Sequence, residues 1–138
     1  MRNINPTATQ QYIEKAGHFL KGMQLLAEDI TAHRTGIGLL AIHSAISLSD
    51  AISVGLTGKR GKYQDHARAA QELSQLCTSN NVSNTQGVNH LAWLLSQKNA
   101  VAYDASRFDD DSIRQAVNKA DRFNAWAYNY FKEILRAP

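Results

Sequence analysis

The sequence predicts an all-α fold, a single up-and-down bundle of about five helices. Apolar residues recur at spacings of three and four along most of the chain. No stretch alternates with the period of two that a half-buried strand would show. Polar and glycine-bearing stretches interrupt the helical pattern at intervals that divide it into packable lengths. At 138 residues, 43% hydrophobic and 20% charged with only two prolines, residues 1–138 suit one domain that buries roughly two-thirds of its unfolded surface.

The first helix is expected over residues 7–34, where Tyr12, Ala16, Phe19, Met23, Leu26 and Ile30 form a seam at alternating spacings of four and three. Thr35 and Gly36 are expected to end it. The second helix, 37–56, is apolar nearly all round and so takes the central place. Gly58 supplies its stop, and the basic run Lys59-Arg60-Gly61-Lys62 follows where cations suit a helix C-terminus. A third helix over 64–78 is marked by Ala70, Leu73, Leu76 and Cys77, and the polar residues 79–84 form a loop. The fourth helix is expected over 85–102. Asp109-Asp110-Asp111-Ser112 makes an acidic entry to the fifth, whose apolar face is expected to run from Ile113 through Ala116, Val117, Ala120, Phe123, Ala127, Tyr130 and Phe131 to Ile134.

Composition narrows the function. A net charge of +3 and a pI near 9.1 suit contact with an anionic partner, although the excess is small. The single Cys77 has no partner for an internal disulfide, which fits a reducing cytoplasm. The N-terminus lacks the apolar run of a secretory signal. Residues 37–56 approach membrane-spanning length but include His43, Asp50 and several serines. An aspartate near the centre of a span costs about 2.5 to 3.5 kcal/mol, so a buried helix and no membrane span are expected. The five histidines, His18, His33, His43, His66 and His90, are scattered without a helical ligand spacing, and neither metal nor cofactor is expected.

The candidate site begins with a misplaced charge. Leu91, Leu94, Leu95, Lys98, Val101 and Ala102 share one helix face, so Lys98 lies on an apolar stripe. Such an ammonium snorkels to water or faces a cleft or subunit interface. Asn99 and Tyr103, four apart, occupy a neighbouring face. On the central helix His43, Ser47 and Asp50 form a polar stripe at i, i+4 and i+7. It reads either as a satisfied polar seam or as part of a functional cleft or dimer interface. Asp65 and His66, at the start of the third helix, cap it or stand beside that cleft. Gly58 to Lys62 is expected to be a solvated loop, since no Ser or Thr follows Gly61-Lys62 as in a nucleotide-binding phosphate loop. Trp126 and Tyr128 fall off the main apolar face of the fifth helix, where dimer packing is favoured over base stacking.

The segment Lys98-Asn99-Ala100-Val101-Ala102-Tyr103 resembles the signature of the HEPN superfamily, small helical bundles whose nuclease members carry an arginine followed four to six residues later by a histidine. Ala41-Ile42-His43-Ser44-Ala45-Ile46, Asp50-Ala51-Ile52 and Gln64-Asp65-His66-Ala67 also resemble a bacterial subgroup of that superfamily. The resemblance implies a homodimer with a shared cleft, RNA or nucleotide as ligand, metal-independent RNA cleavage in active members, and a cognate protein partner in a toxin-antitoxin or defence setting. Lysine here replaces arginine and loses its bidentate grip on phosphate. Tyrosine replaces histidine, and a phenol of pKa about 10 transfers protons near neutrality less well than an imidazole of about 6.5. The expected function is therefore RNA or nucleotide binding with little or no catalysis, using Lys98, Asn99, Tyr103, His43, Ser47, Asp50, Asp65 and His66. The rivals are an endoribonuclease acting through Lys98 with Tyr103 or His43, and a protein-binding adaptor.

Overall fold

The computed structural model describes residues 3–60, 66–103 and 108–136, and for 66, 67 and 103 the backbone alone. The described residues fold as an all-α bundle with seven helical segments: α1 (Pro6–Leu26), α2 (Arg34–Thr57), α3 (His66–Ser79), α4 (Gln86–Ser96), α5 (Lys98–Tyr103), α6 (Asp110–Tyr130) and α7 (Lys132–Leu135). The five expected helices are present, two of them interrupted.

Helix α1 starts where Asn5 caps it, its side chain accepting the Ala8 N–H at 3.3 Å, with Pro6 at the first helical position where its missing N–H costs nothing. It ends sooner than the apolar seam predicts. After Leu26 the chain tightens into a 3-10 turn, Ala27–Asp29, and the Asp29 carboxylate accepts the Ala32 N–H at 3.3 Å. A side chain that bonds to the backbone a few residues ahead competes with the helical ladder. Thr35 and Gly36, expected to end this helix, instead lie in the first turn of α2.

α2 is the axis of the bundle. Ile37, Ala41, Ile42, Ala45, Leu48, Ala51, Ile52 and Val54 are all buried along it. By length and composition it could cross a membrane, but most of its apolar window is covered by the other helices. Gly58 closes it in the left-handed conformation at φ 78°, donating its N–H to the Val54 carbonyl at 2.9 Å, a conformation glycine adopts without a Cβ penalty. α1 runs antiparallel to it: Thr9 lies by Gly55, Gly22 by Leu40 and Leu26 by Gly36.

α6 lies antiparallel to α4. Asn84 meets Tyr130, Gly87 lies under Trp126 and Trp93 lies under Lys119. Trp126 is thus a core residue and not the exposed aromatic its helical position suggested. It is 7% exposed, and its indole N–H donates to the Asn84 carbonyl at 2.9 Å. Tyr128 is half-buried with the Arg136 guanidinium 5.9 Å from its ring. The expected fifth helix breaks at Phe131, and α7 turns Ile134 and Leu135 into the core. Ile134 packs onto Gly55, where a Cβ would collide with it. Residues 3–5 tie down the same end, Ile4 donating to the Gly55 carbonyl at 2.8 Å.

The fourth helix is also interrupted. Ser96 Oγ donates to the Trp93 carbonyl at 2.6 Å, the acceptor that the Gln97 N–H would use in a continuing α-helix. Gln97 bonds Leu94 at 3.1 Å instead, and α5 restarts at Lys98.

Candidate functional site

The break at Gln97 decides where Lys98 goes. α5 packs against the first half of α2 so closely that a Cβ on Gly38 would lie 2.9 Å from Val101 Cγ1 and 3.0 Å from Phe108 Cε1. Lys98 is half-buried and Asn99 exposed. The Lys98 charge reaches His43. Burial pushes the His43 imidazole below its ordinary 6.5, and repulsion from Lys98 pushes it further in the same direction. The Phe19 ring packs against His43 with centroids 5.7 Å apart. His43 is thus a half-buried imidazole packed on an aromatic ring and biased toward its neutral form, and among the described residues no hydrogen bond fixes its orientation.

The other members of the predicted stripe do not join this pair. Asp50 lies seven residues further along α2, about 10 Å at the helical rise. Asp50 is 4% exposed and its carboxylate faces Arg60, whose Nε stands 3.9 Å from Oδ2. Ser47, also buried, lies between the two. The stripe is one helix face divided between two neighbourhoods, one belonging to α5 and the other to the loop after α2. In that second neighbourhood the Ser53 and Thr57 hydroxyls both donate to the Lys59 carbonyl, at 2.8 and 3.0 Å, which fixes the chain just before Arg60. A cavity of about 420 Å³ opens there, lined by Ser53, Thr57, Lys59, Arg60, Glu72 and Gln75. Gly61, Lys62 and Asp65 lie outside the described residues, and His66 and Tyr103 are placed by backbone alone, opening α3 and closing α5.

Sequence reasoning treated His90 as a lone histidine, and it missed Lys119 and Arg122. The antiparallel register of α4 and α6 sets His90 against Arg122 and Trp93 against Lys119. Gln86, Asn89, His90 and Arg122 line a cavity of about 370 Å³, and the Lys119 ammonium stands 5.4 Å from the Trp93 ring centroid. The signal was present as matched i, i+3 pairs, His90 with Trp93 and Lys119 with Arg122. Only the pairing of the two helices brings them together.

Among the described residues no group of three metal-ligating side chains converges. Cys77 is fully buried in the core, where burial raises its thiol pKa. No protein-family model, curated protein or solved structure matches this chain.

Proposed function

We propose that the chain is a HEPN-like module that binds RNA or a nucleotide without cleaving it, acting in the cytoplasm as a homodimer with a cognate protein partner in a toxin-antitoxin or defence system. The observation that carries the binding part is the half-buried Lys98 acting on the neutral imidazole of His43. A half-buried cation whose charge repels the protonated form of a nearby imidazole is in a better electrostatic setting when a phosphate oxygen enters beside it. Asn99, exposed on the next position of α5, adds an amide donor for the same ligand.

The non-catalytic part rests on His43. A general base is normally oriented by a third group, and among the described residues nothing bonded to this imidazole does so. The homodimer has the resemblance as its support. The apolar excess of α2 is used up inside one chain, so a dimer forms through another surface, and sedimentation at micromolar concentration gives the state.

Binding of single-stranded RNA or a nucleotide to the parent protein and to Lys98→Met, followed over a range of salt, tests the reading. The variant keeps much of the packing of the lysine stem and removes its charge. It should bind more weakly and with a shallower salt dependence, because each phosphate contact steepens that dependence. RNA cleavage in EDTA that disappears in both Lys98→Ala and His43→Ala would establish the endoribonuclease instead. Absence of any binding by the parent protein would leave the adaptor.

A further inference from the structure

The groove between α4 and α6 has two cations of α6 at or near it, Arg122 in its wall and Lys119 over Trp93. Arg122 is exposed on α6, and neither it nor Lys119 has a carboxylate within ion-pairing distance among the described residues. α4, from Gln86 to Ser96, contains no acidic residue. His90 lines the cavity with Arg122, its Nδ1 shielded from solvent and without a hydrogen-bond partner. Asn89 and Gln86 place two amides at the cavity wall. One cation, an imidazole committed to no internal bond and two amide side chains around one opening, with the Lys119 ammonium nearby over Trp93, form a donor-rich site whose lining carries no acidic residue.

We propose that this groove binds a phosphate group, gripped by the Arg122 guanidinium, with Lys119 supplying long-range charge and Asn89 and His90 supplying further hydrogen bonds. Guanidinium presents a planar fork that matches two phosphate oxygens, and charge-assisted bonds of this kind are about twice as strong as neutral ones. The cavity volume of about 370 Å³ falls within the range of small-ligand pockets. The electrostatics of the groove point the same way. Burial, then Lys119 and Arg122, push the His90 imidazole below its ordinary 6.5, and an oxyanion beside His90 and Arg122 offsets that repulsion. Nothing in this assignment depends on Lys98 or His43, which belong to the α2–α5 contact.

The phosphate can come from a small phosphorylated molecule or from the backbone of a nucleic acid strand. The test uses the full chain and follows the His90 imidazole signals by NMR during separate titrations with inorganic phosphate, adenosine monophosphate and a short single-stranded RNA, with chloride at matched ionic strength as control. Saturable shifts with inorganic phosphate and adenosine monophosphate, absent with chloride, are expected. Tighter saturation with the RNA than with the monophosphate identifies a strand as the source; no tightening identifies the small molecule. Arg122→Gln should weaken phosphate binding about tenfold, the equivalent of losing one charge-assisted contact. Since Arg122 is exposed, this variant should fold as the parent does. Lys98→Met should leave the His90 titration with inorganic phosphate unchanged, which separates this site from the proposed function. Shifts equal to those of chloride, no shift with any probe, or undiminished binding in Arg122→Gln would each overturn the proposal.

Discussion

Trp126 lies flat on α4 because Gly87 has no side chain. A Cβ built on Gly87 falls inside the van der Waals envelope of the indole, with Cδ2, Cε3 and Cε2 all too near. The ring has no room to retreat. Phe123 stacks with it at 5.8 Å and Phe131 meets it edge-on at 5.6 Å, while its N–H is held by the Asn84 carbonyl. The pair therefore fixes both the distance and the register between α4 and α6, and with them the spacing of His90 from Arg122.

Gly87→Ala should destabilise the fold by about 1 to 3 kcal/mol, the usual range for overpacking a filled core. On an exposed helix the same change would stabilise by about 1 kcal/mol, since alanine is the better helix former. The sign of the effect in urea denaturation therefore decides whether the contact exists. Coupling with Trp126→Phe in a double-mutant cycle locates the effect at that pair.

The entry to α6 supplies a second test. Asp109 accepts the Ser112 N–H at 2.9 Å, and that bond holds its carboxyl below the ordinary 3.8. A depressed carboxyl stabilises the fold above the unfolded value and loses that contribution as pH falls through the folded one. Asp109→Ala should thus lower the melting temperature near neutrality more than Asp111→Ala, whose visible bond is to exposed Arg114. The difference should vanish in strong acid. Equal losses in both variants near neutrality would remove the cap.

The fold was legible where one residue decides one event. The positive φ of Gly58, the cap at Asp109 and the all-round burial of α2 follow from residue types whose backbone or solvation demands are strict. The errors lie where a side chain competes with the backbone. Ser96 takes the Trp93 carbonyl and interrupts a helix whose apolar spacing runs through Val101, and Asp29 does likewise for the N–H of Ala32. Apolar periodicity does not register a single hydroxyl or carboxylate bonding locally. The candidate site was legible in part. The Lys98 charge acts on His43, but Asp50, on the same face of α2, faces Arg60, because a helical wheel discards distance along the axis. Arg122 and Lys119 were invisible because their meaning depends on which helix lies opposite.

The two shifted histidines predict acid sensitivity above the carboxylate range. Folding lowers the pKa of both His43 and His90, while in the unfolded chain both titrate near 6.5. As pH falls below about 6.5 the unfolded state binds protons that the folded state does not, so stability declines until the folded values are passed. Urea denaturation from about pH 7 to about pH 5 should show this slope, and His43→Gln and His90→Gln should each remove part of it. An unchanged slope in both variants would mean that neither ring is held neutral by the fold.

His43 reports directly on Lys98. Two causes depress its imidazole, burial first and the Lys98 charge second. Removing the second leaves the first, so Lys98→Met should raise the His43 pKa without returning it to 6.5. Lys119→Met should do the same for His90 and leave His43 where it was, because Lys119 stands against Trp93 on the α4–α6 side of the bundle. NMR titration of the imidazole protons in the parent and the two variants measures all four shifts. A His43 value that moves in Lys98→Met and not in Lys119→Met places the ammonium beside the ring. If His43 is unmoved by Lys98→Met, the lysine stem carries its charge into solvent, and the pairing that brings a cation to the central helix is lost.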